Sequence, residues 1–170
     1  MKGASKRQQA TAREPTGRSR KPLKALAARG QELQLGVLNG HLGYFVRRLQ
    51  VAIFKDFIRA LAPMKVRPAQ YSVLVLVASN PGQSQASIGR ALNIERARLA
   101  RLLHELERRK WIERRLAPGD GRSHSLFLTG EGVKSLGRIR ELAARHEADL
   151  AEAIGQRRRI WLMDLLRDFG

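Results

Sequence analysis

The segment Glu95–Lys110, ERARLARLLHELERRK, constrains this chain more than any other. Stepped at about 100° per residue, Leu99, Leu102, Leu103 and Leu106 fall on one side, while Ala97, Arg98, Arg101, His104 and Arg108 fall on the other. The pattern predicts a helix that buries leucines and shows arginines to solvent. Just upstream, Ser84–Leu92 (SQASIGRAL) reads as a short helix with Ser84 at its N-cap, and Asn93-Ile94 is a tight connection. Just downstream, the flanks Trp111–Leu116 and Ser123–Leu128 read as antiparallel strands around Pro118-Gly119-Asp120-Gly121. Proline presets φ there, the glycines permit φ > 0, and Asp120 can bond its own backbone. A short helix, a tight turn, a second helix and a hairpin form the plan of a winged helix-turn-helix. In that plan the second helix enters the major groove of DNA.

The rest of the chain reads as helix. Asn39–Ala62 carries one apolar stripe of Leu42, Phe45, Leu49, Ile53, Phe57 and Ala60, and a second of Val51, Phe54, Ile58 and Leu61. A helix apolar on two faces packs on both. Pro68–Ser79 (PAQYSVLVLVAS) is almost wholly apolar and reads as core; Asn80-Pro81-Gly82 is a turn. Helices are expected over Glu131–Ile154 and Arg157–Phe169, and both need a partner to cover their apolar faces. The expected fold class is mainly α with a small β-hairpin wing.

Charge narrows the partner. The 170 residues hold 33 Lys+Arg against 15 Asp+Glu, a formal charge of +18. Such a balance points to nucleic acid first and an anionic membrane surface second. Aromatic residues, at 5%, are too few to favour a base-stacking reader of single strands or RNA. Residues 1–30 hold nine basic residues and one acidic. With their prolines and glycines they read as a disordered basic arm, either a solvated tail or a source of phosphate contacts. No run of about 18 apolar residues is present to span a membrane, and Met1–Arg13 lacks the apolar segment of a secretory signal. There is no cysteine, hence no disulfide, thiol switch or thiolate metal site, and a cytoplasmic setting is expected. The histidines at 41, 104, 124 and 146 lack ligand-like spacing, so no bound metal or cofactor is expected. No nucleophile–base pair, carboxylate pair or phosphate loop suggests an enzyme.

The run from Ser84 to Gly132 resembles the DNA-binding core of the MarR family of bacterial transcriptional regulators. The resemblance rests on Gln85-Ala86 opening the first helix, Leu106-Glu107 ending the second, and Ile112-Glu113-Arg114 entering the wing. It extends to Asp120-x-Arg122 at the tip and Leu128-Thr129-x-Glu131-Gly132 leaving it. Lys110 departs from the pattern, since the family usually has glycine there; a different cap on the helix end is therefore expected.

The resemblance implies a dimeric MarR-like architecture. Residues 31–64 and 131–170 would interlock two subunits, and residues 65–130 would form the winged helix-turn-helix. A homodimer of this kind reads a pseudo-palindromic site on double-stranded DNA. Candidate DNA contacts are Ser84, Ser87, Arg90, Arg96, Arg98, Arg101, Arg115 and Arg122, with Asp120 ordering the wing. The family also implies release by a small-molecule effector, an aromatic carboxylate or, from the likeness of LGYFVRRLQVAIFKDF to one subgroup, an aromatic acyl-CoA thioester. Arg47, Arg48, Tyr44 and His41 are the candidate ligand residues. Arg47 sits on an apolar stripe, where it needs either an anion or an acidic partner such as Asp56 or Asp164 of either subunit. The competing expectation is a basic architectural DNA- or RNA-binding protein with no effector.

Overall fold

The computed structural model describes residues 33–117 and 120–168, with no side-chain description at 117 and 120–123. The expected arm, residues 1–30, lies outside the described residues. The element order is a 3-10 turn Gly36–Gly40, α1 Leu42–Leu61, a 3-10 turn Ala62–Met64, α2 Pro68–Ser79, α3 Gln85–Ala91 and α4 Arg96–Arg108. The hairpin β1 Ile112–Ala117 and β2 Asp120–Leu128 follows, then α5 Gly130–Ile154 and α6 Gln156–Arg167. No described helix is long and apolar enough to cross a membrane.

Helix α1 starts three residues later than its periodicity suggests. Glycines at 36, 40 and 43 weaken helix propagation, and His41 takes an extended conformation (φ −96, ψ 110) before Leu42 begins the helix. In the first stripe Leu42 and Phe45 are exposed, Leu49, Ile53 and Phe57 are half-buried and Ala60 is buried; in the second Val51, Phe54 and Ile58 are exposed and only Leu61 is buried. Leu61, assigned above to the second stripe, belongs to the core because the chain turns there and α2 closes over it. Phe57 connects the helices, meeting Tyr71 of α2 edge-on at 5.7 Å and the His146 ring of α5 at 4.9 Å.

Pro68 opens α2 at a position where its missing N–H is not needed, and Val73, Leu74 and Val77 are fully buried. Around them pack Ile88 of α3, Leu99, Leu103 and Leu106 of α4, Ile112 and Leu126 of the hairpin, and Leu136 and Ile139 of α5. The apolar stripe of α4 is thus its anchor: truncating any of its three buried leucines to alanine costs about 2–5 kcal/mol. Gly89 lets α3 and α4 approach; a Cβ there would stand 3.3 Å from the Ile94 carbonyl oxygen and from Leu99. Asn93 takes the left-handed conformation (φ 49) that makes the connection tight, a region asparagine tolerates.

The hairpin pairs Ile112 with Leu128, Arg114 with Leu126 and Leu116 with His124, with an irregularity between Leu116 and Ala117. It extends beyond the two expected strands. Ser84 bridges to Ser125, Gly82 N–H donates to the Leu126 carbonyl at 2.9 Å, and Leu126 N–H donates to the Gln83 carbonyl at 3.0 Å. The segment before α3 therefore ties the base of the wing to the helical core.

Two further expectations need correction. Trp111 is not in the strand; it is a buried residue that follows the end of α4. Nor is the α4 terminus capped in another way. Lys110 itself adopts φ 58, its N–H donates to the Glu107 carbonyl at 2.8 Å, and Trp111 N–H donates to the Leu106 carbonyl at 3.0 Å. These are the two bonds of a glycine-type helix stop, with buried Trp111 and Leu106 supplying its apolar contact. A lysine holds a conformation that favours glycine because the bonds and the packing on either side demand it.

Candidate nucleic-acid interface

Between α3, the first turn of α4 and the base of the hairpin lies an open cleft of about 850 Å³, lined among others by Ser84, Arg90, Arg96, Arg114 and His124. Local chemistry shapes its rim. Ser84 Oγ accepts from the Ser87 N–H at 3.1 Å, which caps α3, and lies 3.1 Å from Ser87 Oγ. Arg90 Nη2 reaches Ser87 Oγ at 3.4 Å. Ser84, Ser87 and Arg90 thus form one linked polar edge at the start of the motif.

On α4 the expected division holds. Arg96, Arg98 and Arg101 are exposed, as are Ala97, His104 and Arg108, and none of these arginines forms an ion pair among the described residues. Three unpaired guanidiniums within the first two turns create a strong positive field facing outward.

The arginines of the wing differ. Arg114 pairs with Glu107 of α4, which locks the hairpin to the helix and neutralises one positive charge at the cleft. Arg115 lies on the other side of the hairpin, its guanidinium 4.4 Å from the centre of the Phe127 ring and bonded to Glu113 through Nε at 2.9 Å. Among the described candidate arginines, Arg115 is therefore the one held in an ion pair within the protein. The side chains of Asp120 and Arg122 lie outside the described residues.

The wing returns to the core through Leu128-Thr129-Gly130-Glu131-Gly132. Thr129 Oγ1 donates to the Lys110 carbonyl and accepts from the Gly132 N–H at 2.9 Å, capping α5. Its backbone N–H donates to the Trp111 carbonyl at 3.1 Å. Gly132 is required at this spot: a Cβ would stand 2.0 Å from the Trp111 carbonyl oxygen. The threonine and the glycine of the motif together bolt the start of α5 to the end of α4, fixing the angle between α4 and the wing.

Of the four candidate ligand residues, Tyr44, Arg47 and Arg48 lie on the first turns of α1 and His41 stands at its N-cap. Arg48 lies 5.6 Å over the Tyr44 ring and approaches its hydroxyl at 3.4 Å. His41 and Arg47 are exposed, and Arg47 has no ion pair among the described residues. The acidic partners suggested for it are occupied within this chain: Asp164 by Arg167 at 2.8 Å, and Asp56 by Arg59 at 3.9 Å and His146 at 3.8 Å. His146, read in the sequence only as a histidine without ligand-like spacing, is a core residue. It is buried with Nδ1 unpartnered, and its signal was its place in the α5 core stripe of Leu136, Ile139, Ala143 and Leu150. Among the described residues no group of three potential ligands could hold a metal.

A mainly helical subunit with an outward arginine helix beside a braced hairpin defines the chain as a winged helix-turn-helix regulator. A family model described as MarR family matches residues 65–123. The chain is 33% identical over 137 residues to a provisionally assigned transcriptional regulatory protein for the hcr operon of Thauera aromatica, covering 80% of this chain and 82% of the relative. The structure of the transcriptional repressor CouR bound to a 23-mer DNA duplex superposes with a TM-score of 0.79 at 40% identity, covering 82% of this chain and 99% of CouR. CouR bound to p-coumaroyl-CoA gives 0.75 at 38% identity, with 81% and 97% covered. The chain belongs to the MarR family of transcriptional regulators.

Proposed function

We propose that the protein is a repressor that binds a pseudo-palindromic operator as a homodimer and is released by an aromatic carboxylate or its CoA thioester. The observation that carries this is the unpaired arginine face of α4 on a fold that a 40%-identical repressor uses on duplex DNA. In this reading Arg98 and Arg101 reach base edges, and Arg96, Ser84, Ser87 and Arg90 hold phosphates on either side. Arg122 extends the grip at the wing tip, Asp120 orders that tip, and Arg115 acts chiefly by stiffening the hairpin through Phe127. Residues 65–130 form the reading head, residues 31–64 and 131–170 the dimerisation region, and residues 1–30 a basic arm. The protein acts by binding, without catalysis, in the cytoplasm.

Dimerisation is supported by apolar surface that this subunit leaves open. Val51, Phe54 and Ile58 of α1 are about half exposed, and Trp161 of α6 is 66% exposed. Side chains this large, repeated along two helices, form a surface that a second copy buries. The effector is supported by the likeness to a repressor solved with p-coumaroyl-CoA; in this reading Arg47, Arg48, Tyr44 and His41 contact it, with the arginines answering its charge. An architectural binder without an effector is the weaker reading, because the relatives matched over 82% and 99% of their lengths are regulators.

The test is a footprint on DNA flanking the gene, followed by titration with p-coumaroyl-CoA and free p-coumarate. A short palindromic footprint erased by one of them is expected. Uniform protection of any duplex, indifferent to both compounds, would refute the proposal.

A further inference from the structure

A second concavity, of about 410 Å³, lies where the loop between α1 and α2 meets the C-terminal end of α4. It is lined by Lys65, Arg67, Gln70, Glu105, Arg108 and Arg109: four cations and one carboxylate. Its walls are built rather than incidental. Arg109 donates to the Met64 carbonyl at 3.3 Å and to the Lys65 carbonyl at 2.7 Å, while its guanidinium lies 4.6 Å from the Trp111 ring centre. The loop is thereby clamped to the end of α4. Gln70, buried in the floor, accepts from the Arg67 N–H at 2.9 Å and donates to Glu105 at 2.6 Å.

The carboxylate is thus turned toward an amide. Lys65, Arg67 and Arg108 are exposed and form no ion pair among the described residues. Lys65 holds φ 51, a conformation that favours glycine or asparagine, so its charge is kept at this point at some expense in backbone energy. Gathering three unpaired like charges on one clamped wall is unfavourable unless an anion joins them. Two guanidinium forks and an ammonium converging from different elements suit a tetrahedral phosphate, whose oxygens accept from donors that do not share one plane, better than a flat carboxylate.

Arg108 also indicates where the phosphate comes from. It follows Arg101 by seven residues, so it shares the outer face of α4 about 10 Å further along the axis. We propose that this concavity is a phosphate-binding site that holds a backbone phosphate of the duplex read by the first turns of α4. The proposal rests on the DNA-binding function above. A free phosphorylated small molecule offers the same chemistry and is the other possible source.

The test uses the full chain and the triple variant Lys65→Asn/Arg67→Gln/Arg108→Gln. Asparagine tolerates the left-handed conformation, and the Arg67 N–H that bonds Gln70 is retained. An equal-charge control, Arg138→Gln/Arg140→Gln/Arg145→Gln, removes three exposed cations from α5; because α5 belongs to the dimerisation region, analytical ultracentrifugation at the assay concentration first establishes that it is as dimeric as the parent. Thermal melts establish that both variants fold, and the single variant Arg108→Gln substitutes if the triple does not. In salt titrations of duplex binding, the triple variant should lose about one unit of log–log slope per subunit, about two for the dimer. It should bind operator and random duplex about tenfold more weakly at the same salt, with their ratio unchanged.

The control should match the parent; a control as impaired as the triple variant overturns the localised site. A second arm measures melting in inorganic phosphate against chloride at matched ionic strength, without DNA. The parent should gain stability from phosphate and the triple variant should not. Loss of the phosphate gain with an unaltered DNA slope overturns the duplex as source and assigns the site to a free phosphorylated ligand. No change in either arm overturns the site altogether. A parent that binds no duplex yet shows phosphate stabilisation lost in the triple variant would instead refute the DNA-binding function and leave the phosphate site standing.

Discussion

Replacing Lys110 with glycine should make the protein more stable. Lys110 adopts φ 58 because the bonds from its own N–H to Glu107 and from Trp111 to Leu106 close the end of α4. An L-residue in this region stores roughly 1–2 kcal/mol that glycine does not. Glycine in turn loses about 0.4–1 kcal/mol more in chain entropy on folding. The net gain is then about 0.5–1 kcal/mol per subunit, which for a chain of this length raises Tm by about 1–4 °C. Lys110→Ala is the companion variant: it removes the charge, which otherwise interacts with the helix end, but keeps the Cβ and the strain. Urea and thermal unfolding would be compared at one fixed protein concentration, since a dimer's stability depends on it. If Lys110→Gly is no more stable than Lys110→Ala, the strained-stop account is wrong.

Gly132→Ala should lose about 3 kcal/mol or more, because the new methyl meets a backbone carbonyl at 2.0 Å and no side chain can rotate away; an unchanged denaturation midpoint would contradict this. Arg98→Ala or Arg101→Ala should cost about 1–3 kcal/mol in operator affinity if the lost contact is bidentate to guanine, and gel shifts showing parental affinity for both would remove α4 as the reading helix. Arg122→Ala should weaken operator and random duplex alike and lower the salt slope by about one unit per subunit. Deleting residues 1–30 should lower the slope further without altering dimerisation, and an identical slope would make the arm a bystander. Arg47→Met should remain folded, dimeric and DNA-binding yet require far more effector for release, as read by fluorescence anisotropy of labelled operator; a normal response would dismiss Arg47 as the anion's partner.

Periodicity alone determined much of this protein. A leucine stripe opposite an arginine face could form only one kind of helix, and Pro-Gly-Asp-Gly between two short apolar runs could form only a hairpin. Hence α4, the wing and the polar edge at Ser84 were legible before any coordinates. Those signals are local, carried by residues within a few positions of one another. What tertiary structure decided involves residues far apart in sequence or backbone states forced by packing. Lys110 is left-handed because the bonds on either side of it leave no alternative, although its side chain opposes that conformation. Arg114 and Arg115 look alike in sequence, yet the strand's alternation sends one to Glu107 and the other onto Phe127. The second α1 stripe divides because Leu61 enters the core beside α2, while Val51, Phe54 and Ile58 are left uncovered by this subunit. Lys65 and Arg67 share a clamped concavity with Arg108, more than forty positions away, because Arg109 pins the intervening loop to the helix end. No spacing rule reaches across that distance; only the folded chain brings those charges together.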